Sequence, residues 1–346
     1  MKKQNILALA LKPAMRTESV GIGIVLMLAA ALIAVITPSP ARAQRPCEGP
    51  TATRLVMGLQ GAMGSTIGPD GALYVTEGAV GRISRVDPQT GEKTTFASGL
   101  PRAIIGIGGA IDVAFIDNIA YVLVTLVNDP LFPSSDIDGI YRVDGPDSFT
   151  VVGDIGAFNL ANPPTIPFPY FIQTGLQYAL QTYRGGFLVT DAHLNRVLRV
   201  TLDGEISVFI AFDNIVPTGL EVRGNTVYMD EAGPDPHLPQ DGKVVSFGPR
   251  SRTATERASG APFLLDVEFG GGRLYALSHG TVDPNIDPSN AVPNTGALVK
   301  VNGDGTFTHI VDGLDRPTSL EFIGNTAYFV TLTGEVWKID GVRCRP

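Results

Sequence analysis

The chain has 346 residues, of which 40 are glycine and 26 are proline, and its formal net charge at pH 7 is −8. This content of turn-forming residues is typical of an all-β chain with many short strands. The acidic balance argues against nucleic acid and against anionic membrane surfaces as partners.

The first 43 residues differ in composition from the rest of the chain. Basic residues between Lys2 and Arg16 precede an uncharged apolar run from Val20 to Thr37, which ends at Ala41-Arg42-Ala43. This order is typical of a secretory signal peptide with cleavage before Gln44; an uncleaved anchor is the alternative, because about 18 apolar residues can nearly span a bilayer. Cleavage leaves 21 basic and 33 acidic residues, a net charge of −12. We predict a secreted or periplasmic single domain, residues 44–346.

A pattern of short β-type segments repeats six times along the mature chain. One series of alternating segments reads GRISRVD, DGIYRVD, NRVLRVT, GKVVSFG, GALVKVN and GEVWKID. A preceding series has anchors 40 to 67 residues apart, at Tyr74, Tyr121, Leu188, Tyr228, Tyr275 and Tyr328. Four antiparallel strands per unit at this period predict a six-bladed β-propeller of the TolB-like or NHL-like kind. No helical periodicity follows the signal segment.

The sixth unit lacks an outer strand, because the chain ends soon after Asp340. The segment TATRLVM from Thr51 resembles the outer strand TATERAS of the fourth unit, so we expect it to complete the sixth blade and close the ring. Cys47 and Cys344, the only cysteines, would then lie close together, and in an exported chain they predict a disulfide. Two free thiols are the alternative.

The long connections are predicted to lie on one face of the ring. Turns joining strands one to two and three to four are short and define a short-turn face, whereas the long insertions fall on the opposite, long-loop face. Three histidines and a segment rich in aromatic residues and proline lie in the long connections, which makes them candidates for binding a small organic ligand or a protein partner. These ligand-binding candidates are Phe158, Phe168, Tyr170, Phe171, His193, His237 and His279. Loop packing is the alternative.

Carboxylates are expected at one mouth of the central channel. The inner strands are predicted to begin near Ser65, Asp112, Gly175, Gly219, Asp266 and Ser319, with hydroxyls nearby at Thr174, Thr218 and Thr318. Second strands ending in acidic residues add Glu77, Asp191 and Glu231 to the same mouth. Oxygen ligands of this kind suit Ca²⁺, and the candidate metal ligands are Asp112, Asp266, Glu231 and Glu77. A solvated channel lining is the alternative.

Sequence motifs for covalent, metal or nucleotide chemistry are absent in a fitting context. The chain has no G-x-S-x-G, H-E-x-x-H or C-x-x-C motif and no phosphate-binding glycine loop between a strand and a helix. Whether the protein is an enzyme is therefore undecided at this level.

The stretches YRGGFLVTDAHLNRVLRVTLDGE, VPTGLEVRGNTVYMDEAGPDPHLPQDGKVVSFGPRS and DRPTSLEFIGNTAYFVTLTGEVWKID resemble the ScyD/ScyE family. The resemblance covers essentially all of the mature chain and implies an exported six-bladed propeller, without catalytic residues to carry over. Within the first stretch, Asp191 and Asn195 resemble the aspartate and asparagine of an NHL-type repeat, in which the carboxylate holds the following loop.

Three functions are consistent with these expectations. The first is an extracytoplasmic binding or assembly module that holds a small organic ligand or a protein partner on the long-loop face. The second is a calcium-dependent hydrolase or lactonase with its site at the channel mouth. A purely structural role in an envelope complex needs only the rigid ring. We expect no nucleic acid partner, and no membrane contact after signal cleavage.

Overall fold

The computed structural model describes residues 49–165, 172–251, 253–283 and 291–343. The described residues form 24 strands in six sheets of four antiparallel strands. The first twelve strands are β1 (Thr51–Val56), β2 (Ala62–Ile67), β3 (Leu73–Glu77), β4 (Arg82–Val86), β5 (Lys93–Ser98), β6 (Gly109–Ile116), β7 (Ile119–Thr125), β8 (Gly139–Gly145), β9 (Ser148–Asp154), β10 (Gln177–Thr182), β11 (Gly186–Asp191) and β12 (Arg196–Thr201). The rest are β13 (Ile206–Ala211), β14 (Pro217–Arg223), β15 (Thr226–Glu231), β16 (Lys243–Phe247), β17 (Thr255–Ser259), β18 (Leu264–Gly270), β19 (Arg273–Ser278), β20 (Gly296–Val301), β21 (Phe307–Leu314), β22 (Pro317–Ile323), β23 (Thr326–Thr331) and β24 (Glu335–Asp340).

The six sheets are the six blades that the sequence predicts. Blades 1 to 5 are β2 to β5, β6 to β9, β10 to β13, β14 to β17 and β18 to β21, each in chain order from the inner to the outer strand. The sixth blade is β22, β23, β24 and then β1, with Thr51 opposite Asp340 and Arg54 opposite Trp337. The prediction that the N-terminal strand closes the ring is confirmed.

The hydrophobic core lies between neighbouring blades. Second strands are sandwiched in this core, which is why β11 is buried along its whole length, whereas outer strands such as β5 expose most of their residues. Tyr74, an anchor of the repeat, makes edge-on ring contacts at 4.9 Å with Phe96 and with Phe115 of the next blade. Aromatic pairs of this geometry stabilise a core beyond the area that they bury. The tyrosine anchors thus join one blade to the next.

The connections fall on two faces, as expected, with one addition. The crossing from blade 2 to blade 3 contains a short helix, α1 (Ile155–Ala161), where no helix was predicted. Its cause is local, because Asp154 caps the helix by accepting a hydrogen bond from the Ala157 N–H at 2.8 Å. Seven residues are too few to give a periodic pattern in the sequence.

The two ends of the described propeller lie side by side on the short-turn face, at Thr51 and Asp340. The described residues between 49 and 343 belong to one compact unit. The expected signal peptide and the Cys47–Cys344 disulfide lie outside the described residues, so both stay predictions. Among the described residues no helix is long and apolar enough to cross a membrane.

Candidate functional site

The central channel is accessible to water from the short-turn face. In β14 the first four residues are buried and the last three are progressively exposed, and β2 and β22 show the same gradient. Inner strands run from the long-loop face to the short-turn face. Water therefore enters the channel where the inner strands end.

Tyr178 closes the channel toward the long-loop face. Its side chain reaches from blade 3 to blade 6, where its hydroxyl donates to the Thr318 carbonyl oxygen at 2.8 Å. These two blades are opposite in a ring of six, so the bond crosses the axis. An apolar cluster that includes Val216, Phe263 and Leu265 packs against Tyr178. The sequence predicts that the carboxylates of the inner and second strands meet at one open mouth. Because Tyr178 closes the channel on that side, they do not meet there.

Asp112 and Asp266 face the channel about half-way along it, in opposite blades. One oxygen of Asp112 accepts from the Leu180 N–H of the next blade at 2.7 Å, and the equivalent oxygen of Asp266 accepts from the Leu320 N–H at 2.7 Å. The other oxygen of each accepts from the N–H of the following residue, at 2.8 and 2.9 Å. Both aspartates thus link neighbouring blades, and their oxygens are already partly used.

A glycine of the preceding blade makes room for each aspartate. A methyl group on Gly64 would lie 2.5 Å from Oδ1 of Asp112, and one on Gly219 would lie 2.5 Å from the Cα of Asp266. The strand registers show that Gly64 in blade 1 and Ala179 in blade 3 are the residues equivalent to Asp112 in blade 2. The predicted equivalents, Ser65 and Gly175, were therefore wrong. Because the β2–β3 hairpin of blade 1 is longer, the position equivalent to Asp112 lies one residue further from Tyr74 than a count based on the other tyrosine anchors predicts.

Three glutamates, which the sequence reasoning missed, lie further along the channel toward its open end. They occupy the same register in three consecutive blades, each opposite a tyrosine anchor: Glu221 with Tyr228, Glu268 with Tyr275, and Glu321 with Tyr328. The signal was present in the segments GLEV, DVEF and SLEF, because each glutamate precedes its tyrosine by seven residues. Counting along the inner strands from their tyrosine partners would have found all three.

These carboxylates surround a cavity of about 150 Å³. Asp112, Asp266, Glu268 and Glu321 line it together with the neutral Gln181. Glu221 lies beside the cavity and accepts from Nε2 of Gln181 at 2.9 Å. No lysine or arginine is among the described lining residues. The described lining is therefore strongly acidic and contains no basic side chain.

The pKa values of these groups are shifted upward. Burial raises the pKa of Asp266 to about 7, and burial together with the charge of Asp266 raises the pKa of Asp112 well above its usual value. Burial and then the mutual repulsion of the carboxylates raise the pKa values of Glu268 and Glu321 well above the usual range. Several of these groups therefore hold protons at neutral pH. A bound cation would favour their ionised forms.

Glu77, one of the predicted metal ligands, is saturated by protein donors. Its carboxylate is fully buried and accepts from Nε and Nη2 of Arg82 at 2.8 and 2.6 Å, from the Ser84 hydroxyl at 2.5 Å and from the Gln60 N–H at 2.7 Å. Burial raises the pKa of Glu77, but these four donors outweigh it and the net pKa is lowered. The side chain anchors the end of its blade.

Asp191 and Asn195 hold loops, as the NHL-like pattern implies. Asp191 accepts from the amide of Asn159 at 2.8 Å and from Arg196 at 3.3 Å, which ties α1 to blade 3. The side-chain oxygen of Asn195 accepts from the N–H groups of Ile215 and Val216, both at 2.8 Å. Both residues therefore position the crossings around blade 3.

Glu231 lies at the position of blade 4 that Glu77 occupies in blade 1, yet its surroundings differ. Lys243 stands where blade 1 has Arg82, but its ammonium pairs with Glu256 at 3.1 Å. Burial raises the pKa of Glu231 to about 7. The adjacent Asp230 is fully buried, and burial followed by the charge of Asp266 raises its pKa well above the usual value. Burial thus favours the neutral form of Asp230, whereas Glu231 is about half ionised at pH 7.

The described ligand-binding candidates on the long-loop face are packed into the protein. His237 stacks on Phe263 at 4.0 Å between ring centroids and donates to the Gly233 carbonyl oxygen at 2.6 Å. His279 meets the same ring edge-on at 4.9 Å. Burial lowers the pKa of His193 to about 4, and Phe158 packs against the core and under the Arg196 guanidinium. The candidates Phe168, Tyr170 and Phe171 lie outside the described residues.

The predicted metal ligands are not brought together. Asp112 and Asp266 line the channel cavity, whereas Glu77 and Glu231 end second strands of blades 1 and 4 on its long-loop side. The hydroxyls of Thr218 and Thr318 donate to the carbonyl oxygens of Leu264 and Met63 in the next blades, at 2.8 and 2.7 Å. Within the part of the chain that the structure describes, no three His, Cys, Asp or Glu side chains are placed to hold one metal ion.

Comparison with known proteins establishes the fold alone. No model of a protein family matches the chain, and no curated protein is similar to it in sequence. Similar solved structures include a gluconolactonase from Xanthomonas campestris, with 12% identity, a TM-score of 0.57 and coverage of 85% of this chain and 91% of that one. The aldose sugar dehydrogenase of Streptomyces coelicolor has 15% identity, a TM-score of 0.53 and coverage of 85% and 99%.

Virginiamycin B lyase from Staphylococcus aureus is also similar, with 14% identity, a TM-score of 0.51 and coverage of 84% of this chain and 98% of that one. A lactonase, a dehydrogenase and a lyase therefore share this architecture. Because propellers of one shape carry different chemistries, these likenesses do not choose an activity. What they establish is that the chain is a six-bladed β-propeller.

Proposed function

We propose that this protein is an exported binding propeller of the ScyD/ScyE type, and that it holds a small organic cation in the central channel. The observation that carries the proposal is the acidic cavity. Four carboxyl side chains line about 150 Å³ that is accessible from the short-turn face and has no described basic residue in its lining. The channel, rather than the long-loop face, is thus the favoured ligand site.

The electrostatics of the cavity support a cationic ligand. Carboxylates that repel one another are stabilised by a nearby positive charge, which reverses the upward shift of their pKa values. Glu268 and Glu321 come from neighbouring blades on one side of the ring, while Gln181 and Thr66 offer neutral polar groups elsewhere in the lining. This distribution suits one or two ammonium groups on a short neutral chain.

An organic cation fits these residues better than a bare metal ion. A calcium site needs six to eight oxygen ligands around one point, and no group of three candidate side chains converges in the described residues. The channel aspartates also accept backbone N–H groups from two blades. The calcium-dependent hydrolase stays the alternative, and it requires Ca²⁺ at Asp112 and Asp266.

The test is isothermal titration calorimetry on residues 44–346 with two probes, 1,4-diaminobutane and calcium chloride. We expect the diamine to bind and to release protons, because carboxyl groups that hold protons at pH 7 ionise beside it. Titration in two buffers of different ionisation enthalpy measures that release. The double variant Glu268→Gln/Glu321→Gln should weaken diamine binding at least tenfold. Its control, Glu92→Gln/Glu205→Gln, changes two exposed carboxylates and should bind normally.

Two results would count against the proposal. Absence of diamine binding at millimolar concentration would contradict the proposal of a cationic ligand. Equally tight binding of the diamine to both double variants would show that it binds outside the channel. Tight calcium binding that is lost in Asp112→Asn would favour the hydrolase instead.

A further inference from the structure

A second, smaller cavity adjoins the acidic cavity at the closed end of the channel. It has a volume of about 20 Å³, and its lining includes Asp112, Ala179 and Asp266, which also line the larger cavity. Tyr178 and Thr318, which close the channel, line only the smaller one. The larger space, here called the outer cavity, thus continues past the two aspartates into an inner cavity that ends at Tyr178.

The size of the inner cavity limits what can enter it. A space of this volume holds one water-sized group. A primary ammonium group, with hydrogens alone around one side of its nitrogen, is of that size, whereas a trimethylated nitrogen is larger. The inner cavity therefore admits the end of an unbranched primary amine and excludes a quaternary one.

The polar groups of the inner cavity can accept further hydrogen bonds. The Thr318 hydroxyl donates to the Met63 carbonyl oxygen at 2.7 Å, and the Tyr178 hydroxyl donates to the Thr318 carbonyl oxygen at 2.8 Å. Both hydroxyls thus keep only lone pairs for a guest. The carboxyl groups of Asp112 and Asp266 each accept two backbone N–H groups, and an ionised carboxylate has about four lone-pair sites. A primary ammonium, which only donates, fits these acceptors.

A third aspartate lies close to the inner cavity. Asp230 is fully buried, and among the described residues neither of its carboxyl oxygens has a hydrogen-bond partner. Burial and then the charges of Asp266, Asp112 and Asp230 raise the pKa of Tyr178 well above its usual value, so all three carboxyl groups lie near the Tyr178 hydroxyl. A positive charge in the inner cavity favours ionisation of such buried carboxyl groups.

The outer cavity supplies a second level of carboxyl groups. Glu268 follows Asp266 by two residues in β18, so both side chains lie on the channel face of the strand. At roughly 3.3 Å per residue the two levels are about 7 Å apart. Glu321 occupies the register of Glu268 in the next blade. The small side chains of Ala114 and Ala179 line the same space and leave room for an apolar chain.

We propose that the channel ligand is a linear primary diamine, with one ammonium group in the inner cavity between Asp112 and Asp266 and the other at Glu268 and Glu321. The inference rests on the proposed function, because it specifies the class of organic cation. The four-carbon chain of 1,4-diaminobutane spans the two levels, whereas the two-carbon chain of 1,2-diaminoethane is too short. A monoamine contacts one level only.

Isothermal titration calorimetry of residues 44–346 with matched amines tests the inference. We expect 1,4-diaminobutane to bind about tenfold or more tightly than 1-aminobutane and 1,2-diaminoethane, because a hydrogen bond to a charged group contributes at least that factor. The bis(trimethylammonium) analogue of 1,4-diaminobutane has the same charge and chain, but it should bind about tenfold or more weakly because its ends are too large for the inner cavity.

The double variant Glu268→Gln/Glu321→Gln separates the two levels. It should weaken 1,4-diaminobutane by a larger factor than 1-aminobutane, because the monoamine places its ammonium group in the inner cavity. The control Glu92→Gln/Glu205→Gln should bind both amines as the unmodified protein does. A thermal midpoint no lower than that of the unmodified protein shows that each variant is folded.

The outcomes distinguish this inference from the proposed function. If no amine binds, both are overturned together. If 1-aminobutane or the bis(trimethylammonium) analogue binds as tightly as 1,4-diaminobutane, the channel still holds a cation, but the diamine inference is wrong. Equal weakening of diamine and monoamine in Glu268→Gln/Glu321→Gln also overturns the inference, because it shows that both amines use one site at the glutamates.

Discussion

Glu77 and Glu231 occupy the same position in blades 1 and 4, and we expect their substitution by glutamine to change stability in opposite directions. In Glu77→Gln one oxygen becomes an NH₂ group that must face two of the four donors around it, and Arg82 loses its buried counter-charge. Removing one partner of a buried ion pair costs about 3–5 kcal/mol. Because the Arg82 side chain is 26% exposed, we expect the lower end, about 3 kcal/mol at pH 7.

Glu231→Gln should stabilise the protein instead. Burial raises the pKa of Glu231 from 4.5 to about 7, which corresponds to about 3 kcal/mol of destabilisation once the group must ionise in the folded state. That cost is absent below pH 4.5, grows as the pH rises to 7 and is constant above. The variant should therefore gain up to about 3 kcal/mol at pH 8 and almost nothing at pH 4.5.

The effect of Glu77→Gln has the opposite pH dependence. The net pKa of Glu77 is lowered in the folded state, so its contribution is present above the unfolded value and is lost as the pH falls through the folded one. Urea unfolding, followed by the fluorescence of the single tryptophan, Trp337, measures both variants at pH 4.5, 7 and 8. The reasoning is refuted if both shift stability in the same direction, or if the gain in Glu231→Gln does not depend on pH.

Three further outcomes are expected. Gly219→Ala should lower stability by at least about 2 kcal/mol in urea unfolding because its methyl group meets the Asp266 backbone, while Gly303→Ala, with open space around it, should have little effect. A chelator should shift the melting midpoint by less than about 1 °C; a clear loss of stability would support the calcium site, because a ligand that binds only the folded state raises stability. Reduction of the predicted Cys47–Cys344 disulfide should lower the midpoint by roughly 5–10 °C, whereas two free thiols in peptide mapping of the exported protein would contradict the pairing.

The repeat made the architecture predictable from sequence, including the closing strand. Tyrosine anchors and alternating outer strands are strong periodic signals, and the shortage of one strand at the end of the chain identified Thr51 as the start of its replacement. The channel was predicted only in part. Asp112 and Asp266 line the channel as predicted, but each directly follows a β-bulge and accepts from an amide of the next blade, neither of which can be recognised in the residue pattern.

The open end of the channel was harder to predict for a physical reason. Long loops suggested that the functional mouth lay among them, whereas Tyr178 reaches across the axis and closes that side. Which aromatic side chain turns inward depends on the register of β10, and one residue of error moves a side chain to the other face of a strand. The glutamates at the other end were visible in the sequence, but only after correct alignment of the inner strands.

The closing of the ring by β1 and β24 has a consequence for biosynthesis. A ribosome makes β1 before the rest of the propeller and its partner β24 last among the strands, so this β-ladder cannot form until the propeller has been synthesised. During that interval β1 is an unpaired edge that could recruit another nascent chain. Thr51, Thr53 and Arg54 make half of this strand polar, which disfavours pairing with another chain before β24 is made. A ribosome that stalls before Glu335 would release five complete blades and an open ring.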